Sequence, residues 1–134
     1  MGRLTRAIVA MLSAAALMLP ADAQQQGSTI TLSCNGTSKF TATATADLKP
    51  EPVTNLGIIV NMANRTVTFN DSVIPITTIT ATIVGFGSQY VKSKPTISGG
   101  IDRVTGAADI DWMYENVNNN TSWDLKCRPA TRLF

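Results

Sequence analysis

Beyond Gln24 the apolar positions of the chain recur at every second residue, with Thr, Ser, Asn and Asp filling many of the positions between. A period of two sends successive side chains to opposite faces of a strand, and abundant Val, Ile and Thr suit a pleated, half-buried surface. Ile30, Leu32 and Cys34 alternate with Thr29, Thr31 and Ser33, which predicts a first strand closed by Asn35-Gly36, a hairpin signal. Phe40, Ala42, Ala44 and Ala46 predict a second strand, and Pro50 and Pro52 make residues 47–52 a loop. Leu56 to Met62 and Val67 to Phe69 predict two more strands around a turn at Ala63-Asn64-Arg65.

Asn70-Asp71-Ser72 turns the chain into its longest alternating stretch, Val73 to Phe86, where Pro75 calls for an edge position or a bulge near the start. Gly85 and Gly87 end that stretch, and Lys92 to Pro95 reads as loop. Ile97, Gly99, Ile101 and Arg103 lead to a turn at Thr105-Gly106, with Ala108, Ile110, Trp112 and Tyr114 on the return. A polar loop at 116–120 precedes a last strand with Trp123, Leu125 and Cys127 on one face, stopped by Pro129. About eight short strands with frequent turns predict an all-β fold, a small antiparallel β-barrel or sandwich.

The first 23 residues break this pattern. Arg3 and Arg6 precede an uncharged apolar run, Ala7 to Leu19, followed by Pro20 and the small-x-small site Ala21-Asp22-Ala23. That is the layout of a cleaved secretory signal, and the run is too short for the ~20 apolar residues of a membrane span. The expected organisation is therefore a signal peptide over 1–23 and one domain over 24–134, exported to the periplasm or the extracellular space. Removing the leader leaves nine basic against eight acidic residues, a net charge of +1. So balanced a charge offers no electrostatic basis for binding nucleic acid or an anionic membrane.

Candidate chemistry is sparse. The chain has no His, which removes the commonest general base and metal ligand and excludes triads built on imidazole. Its two cysteines, Cys34 and Cys127, share faces with apolar residues near the two ends of the domain. In an oxidising compartment that placement predicts a disulfide joining the first and last strands, side by side or across the core. Asp109 and Asp111, with Glu115 beyond, are the only paired carboxylates worth weighing as an acid and base on a glycosidic bond. Alternation puts them opposite Ile110 and Trp112, on the solvent side.

Trp112, Tyr114 and Trp123 share parity with Ile110 and Leu125, so core packing is the commoner reading of them. Tyr114 and Trp123, taken as nearest the 116–120 loop, are the candidates for contact with a sugar or other flat ligand. Four Asn-x-Ser/Thr triplets, at Asn35, Asn64, Asn70 and Asn119, fall in predicted turns. The terminal Phe134 matches the closing aromatic of outer-membrane barrels, but Pro129 and the parity of Arg128 and Arg132 with it argue against a lipid-facing strand.

Ile101-Asp102-Arg103-Val104-Thr105-Gly106 and Cys127-Arg128-Pro129-Ala130 followed by the terminal Phe134 resemble small secreted proteins of alphaproteobacteria, rhizobia in particular. Those carry a signal, an early Cys, an I-[DN]-R-x-T-G hairpin and a late Cys near a terminal Phe. The resemblance implies an exported β-domain and no particular site. The architecture is more distantly similar to periplasmic barrels that inhibit lysozyme, with no inhibitory loop matched. Arg103, at a strand end, is expected to reach water or be held by a carboxylate. The sequence thus points to a non-enzymatic binding domain without cofactor or metal, its partner an envelope protein or glycan. The alternatives are a carboxylate-dependent enzyme acting on polysaccharide, or a structural component of the envelope.

Overall fold

The alternating segments close into a barrel in the computed structural model, which describes residues 28–42, 48–114 and 119–131. The signal at 1–23, the stretch 43–46, Glu115 and the Phe134 tail lie outside them. The strands are β1 (Thr29–Thr41), β2 (Glu51–Asn61), β3 (Thr66–Phe69), β4 (Ser72–Ile79), β5 (Ile83–Gly87), β6 (Thr96–Asp102), β7 (Ala107–Tyr114) and β8 (Asn119–Pro129). Each pairs antiparallel with its neighbours in chain order, and β8 returns to β1, so the architecture is a closed up-and-down barrel. Closure removes the exposed edges that an open sheet would present.

Inward positions carry the core. Phe69, Ile58, Ile74, Ile110, Val67 and Cys34 are completely buried, and no buried residue is polar or charged among those described. Outward positions carry Asn35, Lys39, Asp109, Asp124 and Lys126, all exposed. Cys34 lies directly opposite Cys127 in the β1–β8 ladder, and the two are bonded. The Cys127 N–H donates to the Gly106 carbonyl and so points away from β1. The cysteines are thus a non-hydrogen-bonded pair, the geometry in which facing residues approach most closely. Their Cα atoms are 4.0 Å apart, closer than the ~4.4–6.8 Å usual for a disulfide. Of the two expected placements, side by side is the observed one.

Two strand assignments differ from the sequence reading, in opposite senses. Asn35-Gly36 does not turn the chain: it lies within β1, which runs on to Thr41. There β2 places three residues against two of β1, the register moving from Cys34↔Leu56 to Gly36↔Val53. The extra residue is absorbed by Asn55 at φ 54°, whose N–H donates to Asn35 Oδ1 at 2.9 Å. A Cβ on Gly36 would strike the Asp124 carbonyl oxygen, so glycine serves close approach of β8 here, within a bulge.

Conversely, Val73 to Phe86 is a hairpin and not one strand. Thr80 Oγ1 accepts from the Ile83 N–H at 3.0 Å and the Thr82 N–H at 3.3 Å, and the Thr80 N–H donates to the Ile83 carbonyl. A hydroxyl-centred turn needs no Gly, Pro or Asn. Pro75 falls outside the β4–β5 ladder, which begins at Ile76 and shifts register between Ile76 and Thr78. The expected loop 47–52 also ends earlier than read: β2 starts at Glu51, with Pro52 opposite Thr37. Pro52 is tolerated because β3 pairs only with Ile59–Asn61, leaving that part of β2 laddered on one side. The Asn triplets divide accordingly, with Asn64 and Asn70 in turns and Asn35 and Asn119 in strands.

Candidate functional site

Closure gives the barrel two unlike ends. One, the turn end, holds the start of β1, the end of β8 and the connections at 62–65, 80–82 and 103–106. The other, the loop end, holds the ends of β1 and β7, the starts of β2 and β8, the connection 88–95 and the tight turn at Asn70-Asp71.

At the loop end, inward alternation on β7 and β8 stacks the aromatic residues in layers. Trp123 faces Ile110, Trp112 faces Thr121 one step further out, and Tyr114 faces Asn119 at the rim. The register therefore corrects one expectation: Trp112, not Trp123, lies nearer the loop. The buried Phe69 anchors both indoles, with ring centroids 4.9 Å from Trp123 and 6.2 Å from Trp112, in edge-on contact. Such pairs add to the stabilisation that burial alone provides. Trp112 lies 6.4 Å from both Trp123 and Tyr114, and Tyr114 is 46% exposed.

These rings line a recess of about 180 Å³ with Asn70 and Thr121. Thr121 also lines a second recess of about 330 Å³, formed with Ser38, Phe40, Leu48, Lys49 and Glu51. The two recesses share the lining residue Thr121 and are taken together as the loop-end groove. Trp112 Nε1 is buried without a hydrogen-bond partner, as is Asn120 Oδ1. A buried indole N–H left unbonded costs free energy until an acceptor reaches it. Neither Thr121 nor Ser38 stood out in the sequence, because their recess forms only when β1 and β8 pair.

The carboxylates sit elsewhere. Asp109 is exposed on the outer face of β7, opposite Asp124 of β8, and Asp111 accepts a hydrogen bond from Ser122 Oγ at 2.8 Å. No cluster of metal-ligating residues occurs among the described residues.

At the turn end, the 101–106 hairpin is built as the motif suggests, with Gly106 at φ 78°. Asp102 Oδ1 accepts the N–H groups of Val104 at 2.8 Å and Thr105 at 2.9 Å. Those amides, Thr105 first, hold its carboxyl below the ordinary carboxylate range, and the Lys126 charge adds to the effect. Arg103 is exposed at the strand end and held by backbone carbonyls: its guanidinium donates to the Thr80 carbonyl at 2.6 Å, and its N–H to the Thr82 carbonyl. It clasps the β6–β7 turn to the neighbouring β4–β5 turn along the rim. Beside it lies a cup of about 400 Å³ whose lining includes Cys127.

Fold and surface together define a class, an up-and-down antiparallel barrel seamed by a disulfide and concave at both ends. Beyond the class, the chain matches no family model, no curated protein and no solved structure.

Proposed function

We propose that the protein acts outside the cytoplasm, in the periplasm or beyond the cell, as a non-enzymatic binding barrel whose loop end holds a glycan of the envelope. The observation that carries this reading is the loop-end groove. It joins an aromatic platform of Trp112, Tyr114 and Trp123 to hydroxyl, amide and charged groups at Thr121, Ser38, Asn70 and Glu51. Sugars present apolar ring faces edged with hydroxyls, which suits aromatic surface flanked by hydrogen-bonding groups.

The Cys34–Cys127 bond fits an oxidising compartment, which the signal-like leader would reach. Among the described residues no helix is long and apolar enough to cross a membrane. An outer face bearing Asp109, Asp124 and Lys126 has the reverse of the alternation that a lipid-facing barrel wall requires. The polysaccharide-enzyme reading through Asp109 and Asp111 needs one of them in a cleft, and their outward placement gives it no support. A purely structural envelope role has no particular observation in its favour.

Retention of the purified, disulfide-intact protein on insoluble peptidoglycan tests the proposal. Tyr114→Ala, at an exposed position that leaves Phe69 covered, should lower retention by about threefold to tenfold, the scale of one aromatic contact. Absence of retention, or turnover of soluble glycan by the wild type, would defeat it.

A further inference from the structure

We propose that the cup at the turn end is a second, separate site, for a small amphiphile with one anionic head and one short acyl chain. The case begins with its size. A volume of about 400 Å³ lies within the ~300–1,000 Å³ of small-molecule sites, and barrel mouths are a favoured location for them. Its wall is apolar: Ile30, Leu32, Val60, Met62, Val84 and Ile101 contribute the inward side chains. The packed core closes the cup below, since Cys34 and Ile58 are completely buried. Only one end of a ligand therefore enters, and the other stays at the rim.

The rim is cationic. Arg103 and Arg128 both line the cup, and Arg65 stands in the β2–β3 turn at the same end. Arg103 uses one of its five N–H donors on the Thr80 carbonyl, which fixes the guanidinium in place with donors remaining. A fork held in advance loses less entropy on meeting a carboxylate or phosphate. The one acidic residue of the lining, Asp102, has its Oδ1 committed to the Val104 and Thr105 amides and lies near Lys126. An apolar well with Arg103 and Arg128 among its lining residues complements a fatty-acid-like anion, and a neutral apolar molecule would leave those charges unused.

Decanoate, kept below its micelle-forming concentration, is the probe, titrated calorimetrically into the disulfide-intact protein. Saturable one-to-one binding is expected, with 1-decanol at least about tenfold weaker for want of the charge-assisted bonds. Arg128→Gln should weaken decanoate by about tenfold on the same grounds. Val104→Glu places an opposing charge at a lining position that is 75% exposed, where folding is not at stake, and should weaken decanoate but not decanol. Equal affinity for the acid and the alcohol would overturn the proposal, as would indifference to both variants. Capture by anionic phosphatidylglycerol vesicles without binding of monomeric decanoate would overturn it too, since the surface would then be reading lipid headgroups. Because this end is remote from the glycan groove, Tyr114→Ala should leave decanoate binding unchanged, so either site can fail without the other.

Discussion

Asp102 shows how much one side chain can settle locally. Its carboxylate replaces the missing backbone partners of a turn, and Gly106 next takes the positive φ that lets the chain reverse. Because its acidity is greater folded than unfolded, its contribution is complete above the unfolded carboxyl range near ~4 and is lost as pH falls through the lower folded value. The melting temperatures of wild type and Asp102→Ala should therefore differ at pH 7 and converge in acid. A gap that stayed constant into acid would show that the charge is immaterial. The turn at Thr105-Gly106 was legible in the sequence, but the carboxylate that caps it was not singled out. The Arg103 bond to Thr80 was not legible either, because it depends on a turn 23 residues away that carries no sequence signal.

Among the elements, the hairpin turns explain where the alternation was read correctly and where it failed. Asn70 and Asp71 both take positive φ, at 46° and 60°, between the paired Phe69 and Ser72. That is the two-residue turn whose twist matches the strands, and its second position favours glycine. Asp71→Gly should accordingly raise stability by about 0.5–1 kcal/mol in denaturant titration. Thr80→Val should lower it by about 1–2 kcal/mol, because it strips the acceptor from two amides while keeping the β-branched shape. No change in the second variant would mean that the β4–β5 turn is held by its backbone alone. The two misread elements offset each other: a strand cut at Asn35-Gly36 and two strands fused across Thr80-Ala81-Thr82 still left a total of eight. Asn-Gly is a turn signal only where the ladder stops, and here β8 pairs on both sides of it. Alternation shows which face a residue takes, but not where a chain without Gly or Pro reverses.

For the molecule as a whole, the cysteines were the clearest guide, since parity and compartment both favoured their pairing. The disulfide sits at the one seam where strands remote in sequence meet, with partners 93 residues apart. In the chain-entropy picture a loop of that length is worth about 4–5 kcal/mol, reduced by any strain. Cys34→Ser or Cys127→Ser should each cost about 2–5 kcal/mol, and the double variant little more, because each removes the same link. Far-ultraviolet circular dichroism should nonetheless keep its β signature, since the β1–β8 ladder continues well beyond the cysteines. Clearly additive losses would argue against a shared bond. The concave ends were legible only in part. Tyr114 and Trp123 do line the loop-end recess, but its groove needs Ser38 and Thr121, and the turn-end cup needs Ile30, Ile101 and Arg128, all drawn together only by closure.

That the loop-end groove binds glycan can be read directly, because the protein's only two tryptophans, Trp112 and Trp123, both line its aromatic recess. Intrinsic fluorescence therefore reports on this site. Titration with β-1,4-linked N-acetylglucosamine oligomers and with solubilised peptidoglycan fragments should shift the emission saturably for at least one of them. The shift should weaken in Tyr114→Ala and should not appear with decanoate. Emission unmoved by every glycan, or moved equally in the variant, would contradict a glycan-binding loop end.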